Sequence, residues 1–530
     1  MTRTVEDITR GLEPARPART IPPGERIHVI GAAGSAASAS LLLAQSAGAT
    51  VSGCDAGEPT RYSDAVVAAG IELTWGHHPG HVVDETGGAI VDRIAVSKAV
   101  TAVDPDQPEL HAAHAAAIPA VSCQQLIADA IATRGGDLLA VAGTHGKSTA
   151  TGWLVHILVR AGLDPSAFVG AVLPPELTGA EASVVRLGRG KPTVVEADEY
   201  AGNFDPYRPV VGVLLNADWD HPDVFASRAD VVTAFEGWIR RFHGAVPGDG
   251  GDKTPTLVAN AGDAGVAELL PRLADWPGRL LAFAVIAGDA EAATARLAEL
   301  RSTYRTVAGL AEGLVGRYEA DPDGTARLVV HGLADRDGEV AHLRLVGRHN
   351  AVDGLGAAGG ALAYGADPER VLDGLRTFAG VGRRFELKGD VAGIVVLDDY
   401  GHHPTAIAAT LEAVGLRYPG RRVWAVYEPL TYHRTAAMLE PFAEALARAD
   451  RVAIADIFAG RDQDVTIVSA ADLAAAVTAR GTLAVAPGSA EATADILAPL
   501  VEAGDVVLVM GGGRSSLIAE RLVEALGARP

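Results

Sequence analysis

Short apolar runs alternate with alanine- and leucine-rich stretches along the first part of the chain. The run Arg26–Ile30 (RIHVI) predicts a buried strand, a helical stretch follows it, and ATVSGCD, which ends at Asp55, predicts a second strand. Further strands are predicted within residues 89–97 and 118–122. Because strands that alternate with helices favour a parallel sheet covered on both faces, we predict an N-terminal Rossmann-like domain over residues 1–136.

The same alternation begins again twice. Asp137–Ala142 (DLLAVA) predicts a strand that leads into a glycine-containing loop and a helix, and another strand, loop and helix follow Gly382. We therefore predict a central domain at 137–381 and a C-terminal Rossmann-like α/β domain at 382–530. Residues 262–318, which are rich in alanine, leucine and arginine, are predicted to form a helical insertion in the central domain.

The composition narrows the classes of function. With 48% hydrophobic and 21% charged residues, the chain of 530 residues is typical of a globular protein and not of a disordered or fibrous one. Acidic residues outnumber basic ones by 66 to 45, which gives no electrostatic support for binding nucleic acid. An anionic ligand must therefore be held locally, by a helix N-terminus, a glycine loop or a metal ion.

Location is predicted from what the sequence contains at its start and in its apolar runs. The first residues mix both charge signs without the apolar stretch of a secretory signal, and no apolar run reaches the ~18 residues of a membrane helix. The two cysteines, Cys54 and Cys123, fit a reducing compartment and are interpreted as small core residues. We expect a cytoplasmic protein without a membrane partner.

A phosphate-binding loop is predicted between the strand that ends at Ala142 and the helix that follows. At such a position backbone N–H groups and the helix dipole favour a phosphate, a lysine adds a point charge, and a serine hydroxyl can bind Mg²⁺. The loop departs from the full phosphate-loop pattern because position 141 is valine. Its residues are Gly143, Thr144, His145, Gly146, Lys147, Ser148 and Thr149.

Two strand ends next to this loop predict a metal site. Glu196 ends one buried strand and His221 ends the next, and the carboxyl ends of parallel strands share one edge of a sheet. Oxygen atoms of Ser148 and Glu196 suit Mg²⁺, whereas histidine is a less usual ligand for so hard an ion. We predict that Ser148, Glu196 and His221 share a magnesium site.

The later motifs supply further polar groups. Asp399, Tyr400, His402 and His403 follow an apolar strand and are predicted to contact a substrate or a phosphate. Adjacent loop histidines with no nearby cysteine make a structural zinc site there improbable. Asn350 in GRHN and Arg384 in GRRFE are additional donors for an anion or an adenine ring.

The N-terminal turn allows a different interpretation. Gly31 and Gly34, with Ser35 after them and Asp55 at the end of the next strand, form a pattern also found in nicotinamide-dependent dehydrogenases. A single glycine pair is weak support for that class. It also leaves the phosphate loop and the strand-end residues unexplained.

The ordered set of motifs resembles the Mur ligases, the ATP-dependent amide-forming enzymes of peptidoglycan precursor synthesis. The matches lie between residues 143 and 405 and read GTHGKST, EADEY, N-x-x-x-D-H, GRHN, GRRFE and DDYGHHPT. The resemblance is strongest to the branch that adds L-alanine to UDP-N-acetylmuramate, and it extends to Tyr432 and Arg434 in EPLTYHRT. No lysine occurs between Lys191 and Lys253, whereas several branches that add later residues use one there.

The resemblance implies a three-domain α/β architecture with a central phosphate-loop ATPase domain. It implies ATP and Mg²⁺ at the loop, with Lys147, Glu196 and His221 as catalytic residues, and Asn350, Arg384 and Asp399 as further nucleotide contacts. UDP-N-acetylmuramate and L-alanine are the expected substrates. The substrate contacts are expected to be Gly31, Gly34, Ser35, Asp55, Tyr400, His402, His403, Tyr432 and Arg434. A murein-peptide recycling ligase and a catalytically silent nucleotide-binding relative remain alternatives.

Overall fold

The computed structural model describes residues 4–243, 254–304, 311–321, 323–333, 336–460, 462 and 464–528. In this part of the chain three β-sheets follow one another in sequence, and helices alternate with the strands of each sheet. The α/β fold class predicted from the sequence is confirmed.

The N-terminal sheet is entirely parallel. Its strands are β1 (Arg26–Ile30), β2 (Thr50–Asp55), β3 (Glu72–Trp75), β4 (Arg93–Val96) and β5 (Ala120–Ser122). Its helices are α1 (Val5–Ile8), α2 (Ser35–Ser46), α3 (Arg61–Ala68), α4 (Lys98–Val103), α5 (Pro108–Ala115) and α6 (Cys123–Arg134), with a 3-10 turn at Pro79–His81. The strand order among the described residues is β3-β2-β1-β4-β5, which matches the first five positions of the Rossmann order 3-2-1-4-5-6.

Alternation along β1 divides the side chains between the two faces of this sheet. Ile27 and Val29 belong to the core that includes α2 and α6, whereas Ile30 packs with Cys54 on the other face. The register pairs His28 with Ser52 and Ile30 with Cys54. Because side chains alternate along a strand, His28 points to the same face as Cys54.

The central sheet is the largest. Its strands are β6 (Asp137–Ala142), β7 (Ser166–Leu173), β8 (Ser183–Arg186), β9 (Pro192–Ala197), β10 (Val211–Leu214), β11 (Thr256–Asn260), β12 (Arg279–Ile286), β13 (Ala311–Ala320), β14 (Ala326–His331) and β15 (Glu339–Leu343). Its helices are α7 (Lys147–Arg160), α8 (Pro175–Thr178), α9 (Arg228–Ile239), α10 (Ala264–Leu269), α11 (Ala290–Thr303), α12 (Arg348–Tyr364) and α13 (Pro368–Thr377), with 3-10 turns at Tyr200–Gly202 and Leu270–Leu273. Over the described ranges the strand order is β15-β14-β13-β12-β11-β10-β6-β9-β7-β8.

The helical insertion predicted for 262–318 is only partly right, because α10 and α11 lie there together with two strands. This region contains β12 and most of β13, which pair in parallel with each other and extend the central sheet, while residues 305–310 lie outside the described residues. The run RLLAFAVI in β12 is buried almost throughout, as in the interior strand of a sheet covered on both faces. Alanine and leucine are common in buried strands of this kind as well as in helices, so composition alone could not separate the two.

The C-terminal sheet is parallel except for one edge. Its strands are β16 (Glu386–Val391), β17 (Ile394–Asp399), β18 (Val423–Glu428), β19 (Arg451–Ala455), β20 (Ala484–Gly488) and β21 (Val506–Gly511). Its helices are α14 (Pro404–Arg417), α15 (Tyr432–Ala437), α16 (Leu439–Leu446), α17 (Ala470–Thr478), α18 (Ala490–Leu497) and α19 (Ser515–Gly527). For the described residues the order is β16-β17-β21-β18-β19-β20, and only β16 pairs antiparallel with its neighbour.

The carboxyl ends of the strands face the space between the three sheets. β6 ends at the phosphate loop, β9 ends just after Glu196, and β17 ends at Asp399. Ligands of open α/β sheets bind in the crevice outside these strand ends. Every helix in the described part of the chain is too short or too polar to span a lipid bilayer.

Candidate active site

The phosphate loop joins β6 to α7 in a conformation that requires glycine. Gly146 has φ +77°, and a Cβ at this position would overlap the carboxylate of Asp353 on α12. Asn216 fixes the loop from the end of β10, because its side chain accepts from the His145 N–H at 2.8 Å and donates to the His145 carbonyl at 3.1 Å. The loop is thus held open at the N-terminus of α7, where its N–H groups can receive a phosphate.

Lys147 lies against two carboxylates that follow β9. Its Nζ is 2.9 Å from Glu199 Oε2 and 3.4 Å from Asp198 Oδ1. Burial alone would lower the pKa of Lys147, but the carboxylates of Glu199 and Asp198 outweigh burial and raise that pKa. Burial raises the pKa of Glu199 to about 7, with Lys147 opposing and Asp198 adding to the shift. Lys147 is therefore a fully charged cation beside the loop.

Ser148 and Glu196 form a pair of oxygen ligands next to Lys147. Ser148 Oγ donates to Glu196 Oε1 at 3.1 Å, and the other carboxylate oxygen accepts from the Gly170 N–H at 2.6 Å. Arg384, in the turn before β16, donates to Ser148 Oγ at 3.0 Å. The first turn of α7 is thereby linked to two other parts of the molecule.

His221 belongs to a different group from Ser148 and Glu196. It forms a cluster with Asp198 and Glu199 in which one ligand atom from each residue lies within 4.8 Å of the others. The backbone of His221 is in the left-handed region, with φ +54°, a strained conformation that residues other than glycine adopt uncommonly. Ser148 and Glu196 are in direct contact, and His221 lies beside Asp198 and Glu199. The magnesium site shared by Ser148, Glu196 and His221 stays a prediction.

Arg434, on helix α15 of the C-terminal domain, contacts Asp220 and His221. Its Nε and NH2 donate to the two carboxylate oxygens of Asp220 at 2.7 and 3.1 Å, and NH2 lies 3.1 Å from His221 Nδ1. Burial would raise the pKa of Asp220, but Arg434 and His221 hold it well below its usual value. The NH1 group of Arg434 is buried and has no hydrogen-bond partner among the described residues.

The loop after β17 lies next to the phosphate loop. The imidazole of His403 lies 4.2 Å from that of His145, centroid to centroid, and its Nε2 lies 3.1 Å from the Trp219 carbonyl. Burial and His145 lower the pKa of His403 to about 4, so the ring is neutral at pH 7. The guanidinium of Arg384 stacks on the ring of Tyr400 at 5.0 Å, which holds the tyrosine against the cavity.

The turn after β1 borders the space between the sheets at its second glycine, Gly34. Gly34 caps α2, and Ser35 Oγ donates to the Gly170 carbonyl of the central sheet at 3.3 Å. Asp55 instead accepts from the Ala33 N–H at 2.9 Å and so shapes the turn from outside. Gly31 has φ +87°, which a glycine adopts without strain.

A cavity of about 450 Å³ lies where the three sheets meet. Of the residues singled out in the sequence, it is lined by Gly34, Ser35, Thr144, His145, Gly146, Lys147, Ser148, Glu196, His221, Arg384, Tyr400, His402, His403 and Arg434. An adjoining cavity of about 380 Å³ is lined by Thr149, Asn350 and Asp399, and shares His145, Gly146 and Arg384 with the first. Gly31, Asp55, Gly143 and Tyr432 line neither of these two cavities.

Sequence reasoning missed several residues of this site. Glu199 and Asp198 stand in the EADEY motif, and Asp220 precedes His221, yet their pairing with Lys147 and Arg434 is visible only in three dimensions. Asp353 is buried against the phosphate loop, and burial raises its pKa well above the usual value. Its only signal in the sequence is a position one helical turn after Asn350.

Comparisons with known proteins agree with this architecture. Residues 26–134 match the "Mur ligase family, catalytic domain", and residues 383–513 match the "Mur ligase, glutamate ligase domain". The UDP-N-acetylmuramate–L-alanine ligase of Kineococcus radiotolerans is 35% identical over 95% of this chain and 97% of its own length. The enzyme of the same name from Acidothermus cellulolyticus is 36% identical over 95% of each chain.

Solved structures show the same fold. The UDP-N-acetylmuramate–alanine ligase of Thermotoga maritima matches with a TM-score of 0.71 and 22% identity, over 94% of this chain and 98% of its own. A murein peptide ligase from Psychrobacter arcticus matches with a TM-score of 0.66 and 22% identity, over 96% and 100% of the two chains.

The three-domain α/β architecture and these relatives together identify the protein as an ATP-dependent carboxylate–amine ligase. The chain belongs to the Mur ligase family. The family resemblance drawn from the sequence is confirmed, and the dehydrogenase interpretation is excluded.

Proposed function

We propose that the enzyme joins L-alanine to UDP-N-acetylmuramate, with cleavage of ATP to ADP and phosphate, in peptidoglycan precursor synthesis. One observation carries the proposal: the phosphate-loop Lys147 and the interdomain Arg434 line the same cavity of about 450 Å³. The relatives that match nearly the whole chain have names that state this reaction. The alternatives from the sequence, a recycling ligase and a silent relative, become outcomes of the tests below.

The first step activates a carboxylate. One oxygen of the UDP-N-acetylmuramate carboxylate attacks the γ-phosphorus of ATP, an acyl phosphate forms, and the bond to the ADP oxygen breaks. Lys147, kept charged by Glu199 and Asp198, neutralises charge that develops on the transferred group. When ATP binds, its phosphate oxygens compete with Glu199 for the Lys147 ammonium group.

The donor set of the site fits Mg²⁺. Ser148 and Glu196 offer two oxygen atoms 3.1 Å apart, and Asp198, Glu199 and His221 form the second group. Glu199 Oε1 is buried and accepts no hydrogen bond from any described residue, which leaves it available to a cation. We assign one ion to each group, so that Ser148, Glu196 and His221 all remain metal ligands. Magnesium would neutralise phosphate charge and orient the two reacting groups.

The second step forms the amide. The neutral amine of L-alanine attacks the acyl carbon, phosphate leaves, and one proton is released. A small amino acid presents a single carboxylate, and an arginine N–H is the natural partner for it. Because Asp220 occupies Nε and NH2 of Arg434, we assign the alanine carboxylate to NH1, the group without a partner among the described residues. Tyr400, His402 and His403 line the same cavity.

The remaining substrate contacts follow from the two cavities. We place the adenosine part of ATP in the smaller cavity, with Thr149, Asn350, Asp399 and Arg384, next to the loop of Gly143–Thr149 that holds the phosphates. We place the UDP-sugar against Gly34 and Ser35. Gly31, Asp55 and Tyr432 stay predicted substrate contacts.

We also propose the domain limits 1–136, 137–381 and 382–530. The strands of each sheet fall inside one of these ranges, which supports the division. A cytoplasmic location is proposed with them, because both cysteines are unpaired, as in a reducing compartment, and ATP is the co-substrate.

An ADP-release assay on the purified full chain tests the function. We expect release of ADP only when UDP-N-acetylmuramate and L-alanine are both present, with a product whose mass equals the two substrates less one water. Release without the sugar would contradict the proposal. No release with the complete mixture would favour the silent relative.

A further inference from the structure

A polar cluster is buried in the N-terminal domain, on the sheet face opposite α2 and α6. It consists of His28 on β1, Cys54 on β2, His81 in the turn after β3 and Glu109 on α5. One ligand atom from each of the four residues lies within 4.8 Å of the others. These residues line neither of the two cavities described above. The reaction proposed for the enzyme gives them no role.

The atoms of this cluster converge on one carboxylate oxygen. Glu109 Oε1 lies 3.2 Å from Cys54 Sγ and 2.9 Å from His81 Nδ1. His77 borders the same point, with its Nδ1 3.3 Å from Glu109 Oε1 and 3.5 Å from Cys54 Sγ. Sulfur, imidazole nitrogen and carboxylate oxygen are thus gathered in one small volume.

His28 is the residue of this cluster that has a buried ring nitrogen without a hydrogen-bond partner among the described residues. Its side chain is 2% exposed, and its Nε2 has no hydrogen-bond partner in the described part of the chain. Its Nδ1 is held 2.9 Å from Ser52 Oγ, and His81 Nε2 is held 3.3 Å from Thr74 Oγ1. An outer hydrogen bond on one ring nitrogen fixes a histidine so that the other nitrogen can bind a metal ion.

We propose that this cluster binds one zinc-class divalent metal ion through His28 Nε2, Cys54 Sγ, His81 Nδ1 and Glu109 Oε1. Metal–ligand lengths of roughly 2.0 to 2.3 Å in a tetrahedron place the ligand atoms about 3.3 to 3.8 Å apart. The distances between ligand atoms in the cluster run from below to above that range. Side-chain shifts of about 1 Å or less would therefore bring the four ligand atoms to the distances that a bound ion requires.

Charge balance favours a divalent ion at this buried position. As the sulfur–metal bond forms, the Cys54 proton that now points to Glu109 leaves to solvent, and the resulting thiolate and the carboxylate cancel the two positive charges. The donor set of one sulfur, two imidazoles and one carboxylate suits Zn²⁺ and not Mg²⁺, which prefers oxygen ligands in an octahedron. This site is therefore chemically distinct from the magnesium groups proposed at the phosphate loop.

The ligands come from four separate elements, so the ion would cross-link the domain. β1 and β2 are joined to the turn at Pro79–His81 and to α5 at a single point. A ligand that binds only the folded state raises its stability. The expected role is structural, and it adds a cross-link that the small core on this face lacks.

Cobalt titration of the untagged full chain tests the site, because a thiolate bound to Co²⁺ gives a sulfur-to-metal charge-transfer band in the near ultraviolet. We expect this band to saturate at one equivalent in the parent and to disappear in Cys54→Ser. Cys123→Ser is the matched control, since Cys123 is equally buried but lies outside the cluster. The control should keep the band. A parent without the band, or a Cys54→Ser variant that retains it, overturns the proposal.

A second variant covers the case in which Cys54→Ser does not fold. His28→Gln removes the metal-binding nitrogen and leaves the thiol in place. In competition with a chromogenic chelator we expect its dissociation constant for Zn²⁺ to rise at least tenfold, with a smaller thermal shift on addition of Zn²⁺. An unchanged dissociation constant in a folded His28→Gln protein would contradict the assignment.

Discussion

Arg434 Nε donates to Asp220 Oδ1 at 2.7 Å, so a guanidinium of the C-terminal domain is anchored by a carboxylate of the central domain. Both side chains are almost completely buried. Breaking one side of such a pair leaves an uncompensated buried charge, which costs about 3 to 5 kcal/mol. The pair therefore ties the position of the C-terminal domain against the central domain to the assembly of the site around His221.

Arg434→Lys should weaken the use of L-alanine far more than the use of ATP. A lysine cannot hold both oxygens of Asp220 and still offer a donor in the place of NH1. Loss of a charge-assisted hydrogen bond of about 1.5 to 3 kcal/mol raises the KM for L-alanine about tenfold to hundredfold. Steady-state kinetics with each substrate varied in turn should show a nearly unchanged KM for ATP.

The matched control for that variant is Arg521→Lys. Arg521 is a partly exposed arginine of the same domain that pairs with Asp495 at the surface. Its kinetic constants should equal those of the parent. Equal increases in both KM values for Arg434→Lys would place Arg434 outside the amino-acid site.

Lys147→Ala should keep the fold and abolish ligation. The lysine acts on charge that develops in the transition state, and its removal leaves Glu199 and Asp198 as unopposed carboxylates beside the phosphates. Circular dichroism should match the parent, while ADP release falls by at least about a thousandfold. The exposed Lys191→Ala is the control and should remain fully active. Normal turnover of Lys147→Ala would refute the phosphate-loop assignment.

Glu196→Ala and His221→Ala should each change the magnesium requirement. Because we propose that each of them holds a magnesium ion, each variant should lose one metal ligand. We expect the Mg²⁺ concentration for half-maximal rate to rise at least tenfold in both, or activity to be lost. If both variants titrate with Mg²⁺ as the parent does, the metal sites lie elsewhere.

Glu428 should make the C-terminal domain less stable as the pH rises through 6. Burial raises its pKa to about 6, against backbone hydrogen bonds from Ser515, Arg514 and Gly513 that oppose the shift. The folded state then holds a proton that the unfolded state has released above its ordinary pKa of 4.5, so stability falls between pH 4.5 and 6. The loss is about 2 kcal/mol.

Glu428→Gln removes that charge and should not show the loss. The melting temperatures of the variant and the parent are measured from pH 4.5 to 8. The difference between them should grow by several degrees in favour of the variant, and most of this growth should occur below about pH 6. Glu444→Gln, at a solvent-exposed position of the same domain, should follow the parent at every pH. A constant difference between Glu428→Gln and the parent would contradict the buried-charge explanation.

The parts of the fold set by local pattern could be predicted from the sequence. Arg26–Ile30 and Asp137–Ala142 are strands as predicted, because each is a short apolar run bounded by a glycine loop. β12 was missed, since its alanines and leucines fit a helix equally well and only its parallel partners make it a strand. Composition carries no information about such pairing.

The residues of the candidate site likewise fall into those that local sequence predicts and those that only the three-dimensional structure brings together. Lys147 and Ser148 could be found because the loop, the strand before it and the helix after it are contiguous in sequence. The pairing of Arg434 with Asp220 spans more than two hundred residues and depends on how two domains close. The cluster at His28 is hidden for the same reason, because its members come from four elements and follow no known ligand spacing.

A competition experiment tests the central claim most directly. The purified enzyme is given ATP, Mg²⁺, limiting UDP-N-acetylmuramate and equal concentrations of L-alanine and the murein tripeptide, and the products are separated by mass. We predict that the alanyl product accounts for nearly all of the sugar consumed. A product that carries the tripeptide, with L-alanine ignored, would contradict the account and identify a recycling ligase.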